Sequence, residues 1–431
     1  MTQRPIAGID VAKNFSEMVV ISPSCQIIAR LRIKHQSSSD LKKAADILKK
    51  VEKDFAAAPV VVMESTGHYH KILFHYFTKI GLEVVILNPL QSDSIKNISI
   101  RKVKNDKIDA FRIAMLYKLN QSNIATLPLE TIECLKRLCR QYYHFNDELI
   151  AYKNRFMSVV DQIMLNFREV FPDICSKTAL AVLEKYPTPE DILNADRNEL
   201  ISVIQQNSHK SYLWACEKYE LLYDKAQEFR EISISDSANI TMLKIYIDII
   251  RTWEKNIQRI IEAIEEIIKE NSQTGESILS TIELLQTIPG VGFISAVTIL
   301  AEVGNFKKFS KPNKLVAYFG VDPSVVQSGQ FVGTKNKMSK RGSEILRRVL
   351  FCVAFANIRT KRNNQPCNPV LYEYYQRKCE QKPKRVALGA VMRKIVCIIF
   401  AVMRNNKPFE FRTPEEHIQK YFSKAAVVNC K

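Results

Sequence analysis

Acidic residues stand at the ends of two apolar segments near the N-terminus. Asp10 ends the apolar run that begins at Ile6, and Glu64 ends the run that begins at Val60. Asp106 and Asp109 are three residues apart at the start of a helical pattern. Strand ends place side chains at the rim of a sheet, and residues at i and i+3 share one helix face. If these places meet, they form a set of hard oxygen ligands that suits Mg²⁺, with Mn²⁺ as the second possibility.

The N-terminal segment alternates between strand and helix patterns in a definite order. Three short strands are followed by a helix, a strand, a helix, a strand and a helix that opens near Asp106. This order matches an RNase H-like (RuvC-like) α/β fold. The expected strands are Pro5–Asp10, Glu17–Ser22, Ile27–Ile33, Pro59–Glu64 and Glu83–Leu87, and the expected helices are Asp40–Lys53, capped by Ser39, and His68–Ile80.

The middle of the chain has long, charged helical patterns over residues 132–167 and 212–271. Apolar residues recur there at threes and fours, which suits either a coiled coil or a helical bundle within one chain. If residues 212–271 form one continuous helix, it could reach roughly 90 Å, and Leu243–Ile267 could help to dimerise the protein. With 431 residues, more than one domain is expected. We predict domains at 1–125, 126–280 (the helical linker) and 281–431 (mainly helical).

The positive charge is concentrated in the last quarter of the chain. The net charge is +18, and residues 329–431 hold 22 Lys and Arg against 6 Asp and Glu. Such an uneven distribution favours contact with nucleic-acid phosphates over a merely solvated surface. The longest apolar runs, such as Ile395–Met403, are shorter than the ~20 residues of a membrane span. We therefore expect a cytoplasmic protein without a membrane segment or signal peptide.

A Pro-Gly-Val-Gly turn precedes this basic region. Ile288-Pro289-Gly290-Val291-Gly292 lies between two helical segments and resembles a helix-hairpin-helix motif. Exposed N–H groups at the start of its second helix could hold a phosphate. The alternative is a tight helical corner that serves only packing.

Several motifs together resemble the DEDD-type insertion-sequence transposases, which are bridge-RNA-guided serine recombinases related to the Piv DNA invertases. The first domain of that family resembles the segments around Asp10, Glu64 and Asp106–Ala110. Its second domain resembles Gly320-Val321-Asp322-Pro323, Gln327-Ser328-Gly329 and Met338–Gly342 through Leu346-Arg347-Arg348. The matches cover about half of the chain, in the family's order. Asp322 stands where the family has a Thr.

The resemblance implies a catalytic arrangement and a set of partners. Asp10, Glu64, Asp106 and Asp109 would bind the metal, and Ser328 would be the nucleophile that attacks a DNA phosphate. From the residues alone, Ser328 is one turn serine among several, with Ser324, Ser339 and Ser343 as competitors. The implied partners are donor and target DNA, a structured guide RNA and further copies of the chain, as a dimer or tetramer. The expected phosphate-binding residues are Lys335, Lys337, Lys340, Arg341, Arg347, Arg348, Lys382, Lys384 and Arg385. The alternative for Arg347 and Arg348 is that they pair with acids that face the core.

Two other functions fit parts of the pattern. A junction-resolving nuclease of the RuvC type would use the carboxylates with water as the nucleophile, and it would have no need of Ser328. A non-enzymatic RNA-binding scaffold would bind nucleic acid without a divalent metal.

We also predict that Ser328 of one subunit completes the metal site of another.

Overall fold

The computed structural model divides the chain into two compact units, Met1–Leu127 and Pro128–Lys431. The residues it describes are 4–64, 69–87, 106–119, 130–271, 278–324, 327–328, 331–332, 337–360, 365–413, 415–416 and 419. The division between the units lies two residues from the predicted boundary at 125. By contrast, the boundary predicted at 280 falls inside the second unit.

The first unit contains a mixed five-stranded sheet with strand order β3-β2-β1-β4-β5. The first three strands are antiparallel neighbours, whereas β4 runs parallel to both β1 and β5. This topology is consistent with the predicted RNase H-like fold. The strands are β1 Ile6–Val11, β2 Phe15–Ile21, β3 Ile27–Lys34, β4 Val60–Glu64 and β5 Val84–Leu87.

Helices cover both faces of this sheet, and its central strands are therefore buried on both sides. Helices α1 (Ser38–Phe55) and α2 (His70–Lys79) pack on the face of Ile9 and Met18. Helix α3 (Asp106–Leu119) packs on the opposite face. Helix α1 begins two residues earlier than predicted: Ser37, and not Ser39, is its cap, because the Ser37 side chain accepts the backbone N–H of Asp40.

In its described residues, the second unit is mainly helical, with one short hairpin of β6 (Gln327–Ser328) and β7 (Phe331–Val332). Its helices are α4 Glu130–Met164, α5 Phe167–Val170, α6 Lys177–Lys185, α7 Pro189–Leu193, α8 Arg197–Ser208, α9 Tyr212–Phe229, α10 Ser237–Asn271, α11 Ile278–Gln286, α12 Phe293–Val303, α13 Pro312–Phe319, α14 Glu344–Ile358, α15 Pro369–Cys379 and α16 Lys384–Asn405.

The two long helices, α4 and α10, form an antiparallel pair within one chain. The rings of Phe145 and Trp253 are 4.6 Å apart, and further along α4 the ring of Tyr152 is 6.3 Å from that of Tyr246, which comes earlier in α10. The apolar series on α10 faces inward, with Leu243 and Ile247 fully buried. The prediction that Leu243–Ile267 dimerises the protein is therefore wrong for its buried members, whose apolar surface is already covered by their own chain.

The condition for a reach of roughly 90 Å, one continuous helix over residues 212–271, is not met. Helix α9 ends at Phe229, and α10 begins only at Ser237. The intervening segment bonds back to α4: the Ser233 hydroxyl donates to the carbonyl of Ile163 at 2.7 Å. The Asp236 carboxylate then accepts the N–H of Asn239, as an N-terminal cap does.

A buried carboxylate connects three helices of the second unit. Glu302 on α12 is 3% exposed and accepts two hydrogen bonds from the Arg140 guanidinium of α4, at 2.6 and 3.1 Å. The Ser343 hydroxyl, at the start of α14, donates to the same carboxylate at 3.1 Å. This hydrogen bonding raises the pKa of Arg140, which therefore stays charged.

The predicted helix-hairpin-helix turn forms a tight corner between α11 and α12. Gly290 has a φ of +78°, and a Cβ there would lie 3.1 Å from both the Val353 carbonyl and the Ala356 methyl of α14. The Asn357 amide donates to the carbonyl of Pro289 at 2.7 Å. Packing against α14 thus accounts for Gly290. A Cβ on Gly292, the cap of α12, would meet nothing within 4 Å.

Helix α16 is long and apolar enough to cross a membrane by length and composition, unlike the shorter run considered from the sequence. About half of its most apolar stretch is buried within the second unit. Val391, Ile395 and Ile399 are fully buried in the main core. Core packing therefore accounts for the apolar character of this helix.

Candidate functional site

Asp10 and Glu64 lie level with each other on neighbouring parallel strands. Ile9 of β1 is paired with Met63 of β4, and the two acids follow directly along the chain. Since Ile9 and Met63 belong to the core on the α1 and α2 side, alternation puts both carboxylates on the α3 face. Strand spacing is about 4.8 Å, so the structure brings these two predicted residues together at one end of the sheet.

A glycine allows α3 to lie directly on the strand that carries Asp10. A Cβ on Gly8 would stand 2.2 Å from the carbonyl oxygen of Ala110 and 2.9 Å from the Ala114 methyl. The helix has small side chains at the same place, because Ala110 and Ala114 are one turn apart on one face. This contact holds Asp109, on the same helix, over the sheet face that carries Asp10 and Glu64.

The acids of α3 are described to different extents. Asp109 is buried and accepts a hydrogen bond from Arg112 at 2.9 Å. Asp106 begins the helix, but its side chain lies outside the described residues. Within the described residues, no three His, Cys, Asp or Glu side chains are grouped closely enough to hold a metal ion. The complete metal site therefore remains a prediction.

The donor chemistry nevertheless fits a hard divalent cation. Asp10 and Glu64 lie on the face of the sheet that α3 covers, Asp109 belongs to α3, and all three offer carboxylate oxygens. Where carboxylates come close together, a bound cation offsets their mutual repulsion. This set suits Mg²⁺ or Mn²⁺ better than Zn²⁺, which prefers nitrogen and sulfur ligands.

A further acid extends this row, and sequence reasoning missed it. Glu17 of β2 is the cross-strand partner of Asp10, and its side chain is 4% exposed. Its own partner on the other side is Arg32 of β3, whose guanidinium is 2.5 Å from the Glu17 carboxylate. The row therefore runs Arg32, Glu17, Asp10, Glu64. Alternation in the β2 and β3 segments could have revealed it, but only with the strand register known.

The second unit brings two of the predicted motifs together. The turn at Gly320–Asp322 packs against the loop at 338–342: the Ser339 N–H donates to the carbonyl of Asp322 at 2.8 Å. A Cβ on Gly342 would be 2.4 Å from the backbone nitrogen of Gly320, so both positions require glycine. Asp322 accepts a hydrogen bond from the Ser339 hydroxyl.

The segment between these motifs carries Ser328. Its backbone pairs with Phe331 in the β6–β7 hairpin. Its side chain lies outside the described residues, as does all of Gly329. Isolated β-bridge pairing of Pro323 with Met338 closes the base of this segment.

Each of the three competing serines has a structural hydrogen bond. Ser324 donates to the carbonyl of Lys337 at 2.8 Å, and Ser339 donates to Asp322. Ser343 caps α14 by accepting the N–H of Leu346, and it also donates to Glu302. These contacts explain why three serines stand near the hairpin without assigning chemistry to them.

The predicted phosphate-binding residues divide into two groups. Arg347 donates to the carbonyls of Lys340 and Gly342, and Arg348 forms a 2.7 Å ion pair with Asp147, so both support the fold. Lys335 lies outside the described residues. The remaining side chains are exposed and have no hydrogen bond or ion pair within the described chain: Lys337, Lys340, Arg341, Lys382, Lys384 and Arg385.

Comparisons with known proteins match both ends of the chain. The transposase domain model of the DEDD IS110 type matches residues 7–165, and the model of the IS116/IS110/IS902 transposase family matches residues 282–376. The chain belongs to the IS110-type DEDD transposases. The first match includes Asp10, Glu64, Asp106 and Asp109, and the second includes Ser328.

Individual relatives agree with this assignment. A pilin gene-inverting protein of Moraxella bovis is 27% identical over 195 residues, which cover 45% of this chain and 57% of the relative. The insertion element IS110 protein of Streptomyces coelicolor is 23% identical over 78% of this chain and 79% of its own. The IS1111A transposase of Coxiella burnetii is 29% identical over 32% and 36%. The chain thus spans little more than half of the pilin gene-inverting protein.

The Gly8 contact generates a prediction for the stability of this chain. Gly8→Ala should push α3 away from β1 and destabilise the folded state by roughly 3 kcal/mol, because the new methyl overlaps a helix backbone. Thermal unfolding of the full chain measures this loss. Gly389→Ala is the matched control: its nearest contact would be Met338 Cε at an ordinary 3.6 Å, so stability should stay equal or rise. Equal melting of both variants would contradict the prediction.

Proposed function

We propose that this protein cuts and rejoins DNA strands of an insertion sequence, with a metal-bound carboxylate cluster and a serine nucleophile. The observation that carries the proposal is the level pair Asp10 and Glu64 beneath the helix that bears Asp109. That arrangement occurs on an RNase H-like sheet in a chain with both transposase domains. Asp106, one turn before Asp109, completes the proposed ligand set.

The carboxylates have one role in this proposal. Asp10, Glu64, Asp106 and Asp109 would hold Mg²⁺, or Mn²⁺, which supplies positive charge beside the reacting phosphate when bound. The burial of Glu64 and Asp109 fixes where that charge can lie. Glu17 stays paired with Arg32, so its charge is balanced without the metal.

Ser328 has the role of nucleophile. Attack by its Oγ on a DNA phosphate would form a phosphoserine bond and break one P–O bond of the DNA backbone, and the DNA oxygen would leave as a hydroxyl after taking up the serine's proton. The phosphoserine bond would keep the energy of the broken phosphodiester for rejoining. Two observations support this choice over the other serines. Ser324, Ser339 and Ser343 are committed to structural hydrogen bonds, and Ser328 stands in the short hairpin between the two packed motifs.

The proposed partners follow from charge and family. The exposed cations at Lys337, Lys340 and Arg341, and again at Lys382, Lys384 and Arg385, are suited to DNA phosphates. A structured guide RNA and a dimer or tetramer belong to the proposal through the family resemblance. The reaction would take place on cytoplasmic DNA.

Two other functions remain as outcomes of the tests. A RuvC-type nuclease predicts metal-dependent cleavage without any covalent intermediate. An RNA-binding scaffold predicts nucleic-acid binding without cleavage. The proposed recombinase differs from both because it needs the carboxylates and the serine together.

Removal of a single carboxylate tests the metal site. Asp10→Asn, Glu64→Gln, Asp106→Asn and Asp109→Asn should each lower DNA cleavage by roughly a thousandfold or more, since charge stabilisation of the transition state is lost. DNA affinity should stay within a fewfold of the unmodified protein, as gel-shift titration measures. Chelation by EDTA should reproduce the loss. Full cleavage in EDTA would overturn the metal role.

Trapping of a protein–DNA adduct tests the nucleophile. Ser328→Ala should abolish the adduct, because the alanine methyl cannot form a phosphoester. Ser339→Ala and Ser343→Ala are the matched controls in the same segment, and both should still form the adduct after denaturing electrophoresis. An adduct with Ser328→Ala would exclude Ser328 as the nucleophile, and cleavage without any adduct would favour the RuvC-type nuclease.

Salt dependence tests the basic surface. The triple variant Lys382→Ala/Lys384→Ala/Arg385→Ala should bind duplex DNA with a shallower log–log salt dependence, by about 0.9 for each phosphate that these cations neutralise in the unmodified protein. Arg347→Ala is a useful comparison, because its guanidinium already bonds to backbone carbonyls. An unchanged slope in the triple variant would mean that these cations only solvate the surface.

A further inference from the structure

The edge strand β3 presents three cations on alternate residues. Arg30, Arg32 and Lys34 are all exposed, and β3 is the outermost strand on its side of the sheet. Alternation places the three side chains on one face, about 6.7 Å apart along the strand. We call these three residues the β3 cation face.

The β3 cation face lies on the same side of the sheet as the carboxylates. Arg30 is paired with Val19, and Val19 belongs to the core beneath α3. Arg32 is paired with Glu17, which is in turn paired with Asp10. Two strand spacings, about 10 Å in total, therefore separate Arg32 from Asp10 along one row. A single nucleic-acid strand that crosses this end of the sheet would contact both.

The three cations differ in what already binds them. Arg32 is paired with Glu17, and its guanidinium lies 4.4 Å from the centre of the Phe15 ring. The side chains of Arg30 and Lys34 have no hydrogen bond or ion pair within the described part of the chain. Arg32, which is held by Glu17 and Phe15, thus lies between two cations that form no ion pair with the described residues.

A shallow cavity adds shape to this charge. It is bordered by Phe15, Arg32, Lys34 and Gln36, at the end of the strands where Asp10 lies. Like Asp10, Phe15 is in the loop-proximal part of the β1–β2 pair. Guanidinium and ammonium groups around a shallow cavity fit the phosphates of a flexible strand.

We propose that the β3 cation face binds phosphates of the DNA strand that enters the carboxylate row, and so positions the phosphate to be cut. This inference rests on the proposed function and assigns it a substrate-positioning surface. A different role for such residues is protection of an exposed edge strand against pairing with another sheet. That role would require charge on the strand but no contact with DNA.

The experiment compares two double variants of the full chain, each with Ser328→Ala so that DNA is not consumed. Arg30→Gln/Lys34→Gln removes the two unpaired cations of β3. Lys49→Gln/Lys50→Gln is the matched control, with the same charge change at exposed positions of α1 on the opposite side of the sheet. Binding of a mixed-sequence single-stranded DNA is measured by fluorescence anisotropy across a range of salt concentrations in Mg²⁺.

The β3 variant should lower the log–log salt slope by about 1.4, at about 0.7 for each single-strand phosphate, and the control should leave it unchanged. A charge-retaining variant, Arg30→Lys/Lys34→Arg, should keep the full slope, and it guards against misfolding of the glutamine variant. Equal slopes for the β3 variant and the α1 control would overturn the inference in favour of edge protection. A loss seen with RNA of the same sequence but not with DNA would also overturn it.

These outcomes are separable from failure of the proposed function. The slopes are binding measurements and need no turnover. If the carboxylate variants keep their cleavage activity, the proposed chemistry fails, whatever the slopes show. If those variants lose cleavage while the β3 variant binds like the control, only the positioning role fails.

Discussion

The close packing of α3 on β1 is the contact on which the arrangement of the N-terminal acids depends. Two acids come from neighbouring strands, and their relative position is set by backbone pairing. The other two come from a helix much further along the chain, and only helix–sheet packing can bring them near. Gly8, Ala110 and Ala114 make that packing possible because none has a side chain larger than a methyl group. Small residues in this contact therefore position charged residues that do not take part in it.

In the second unit, a buried carboxylate holds distant helices together, whereas in the first unit the absence of a side chain at Gly8 allows the close contact. Glu302 accepts hydrogen bonds from Arg140 and Ser343, and so it ties α12 to α4 and to the start of α14. Taking a carboxylate out of water is unfavourable unless its oxygens are satisfied, and here they are. The loop before α14 packs on Gly320 and contains Ser339. The hairpin with Ser328 is thus flanked on both sides by residues that packing and hydrogen bonds hold in place.

The N-terminal fold and its acids were largely predictable from sequence. Strand and helix order, and the positions of Asp10 and Glu64, follow from apolar patterns in short segments, whose boundaries were mostly within two residues. The cap of α1 was misassigned because Ser37, Ser38 and Ser39 are equivalent as residues, and only geometry selects Ser37. Glu17 was missed because an acid within a strand has no distinctive local pattern.

Contacts between distant parts of the chain were harder to predict from the sequence because they depend on which surfaces pack together. The spacing of apolar residues on α10 showed a buried face, but it could not distinguish another chain from α4 of the same chain. The sequence left open whether Arg347 and Arg348 contact phosphates or pair internally, and folding gives each an internal partner.

The sequence by itself determined the local elements, the uneven charge and the family, since each follows from residue patterns along the chain and needs no knowledge of which segments pack together. Tertiary structure decided which acids share a face, which serines are structural and which cations are left exposed. The physical reason is that hydrogen bonds and ion pairs act over a few ångströms. Residues far apart in the sequence come within that distance only after packing has fixed their positions.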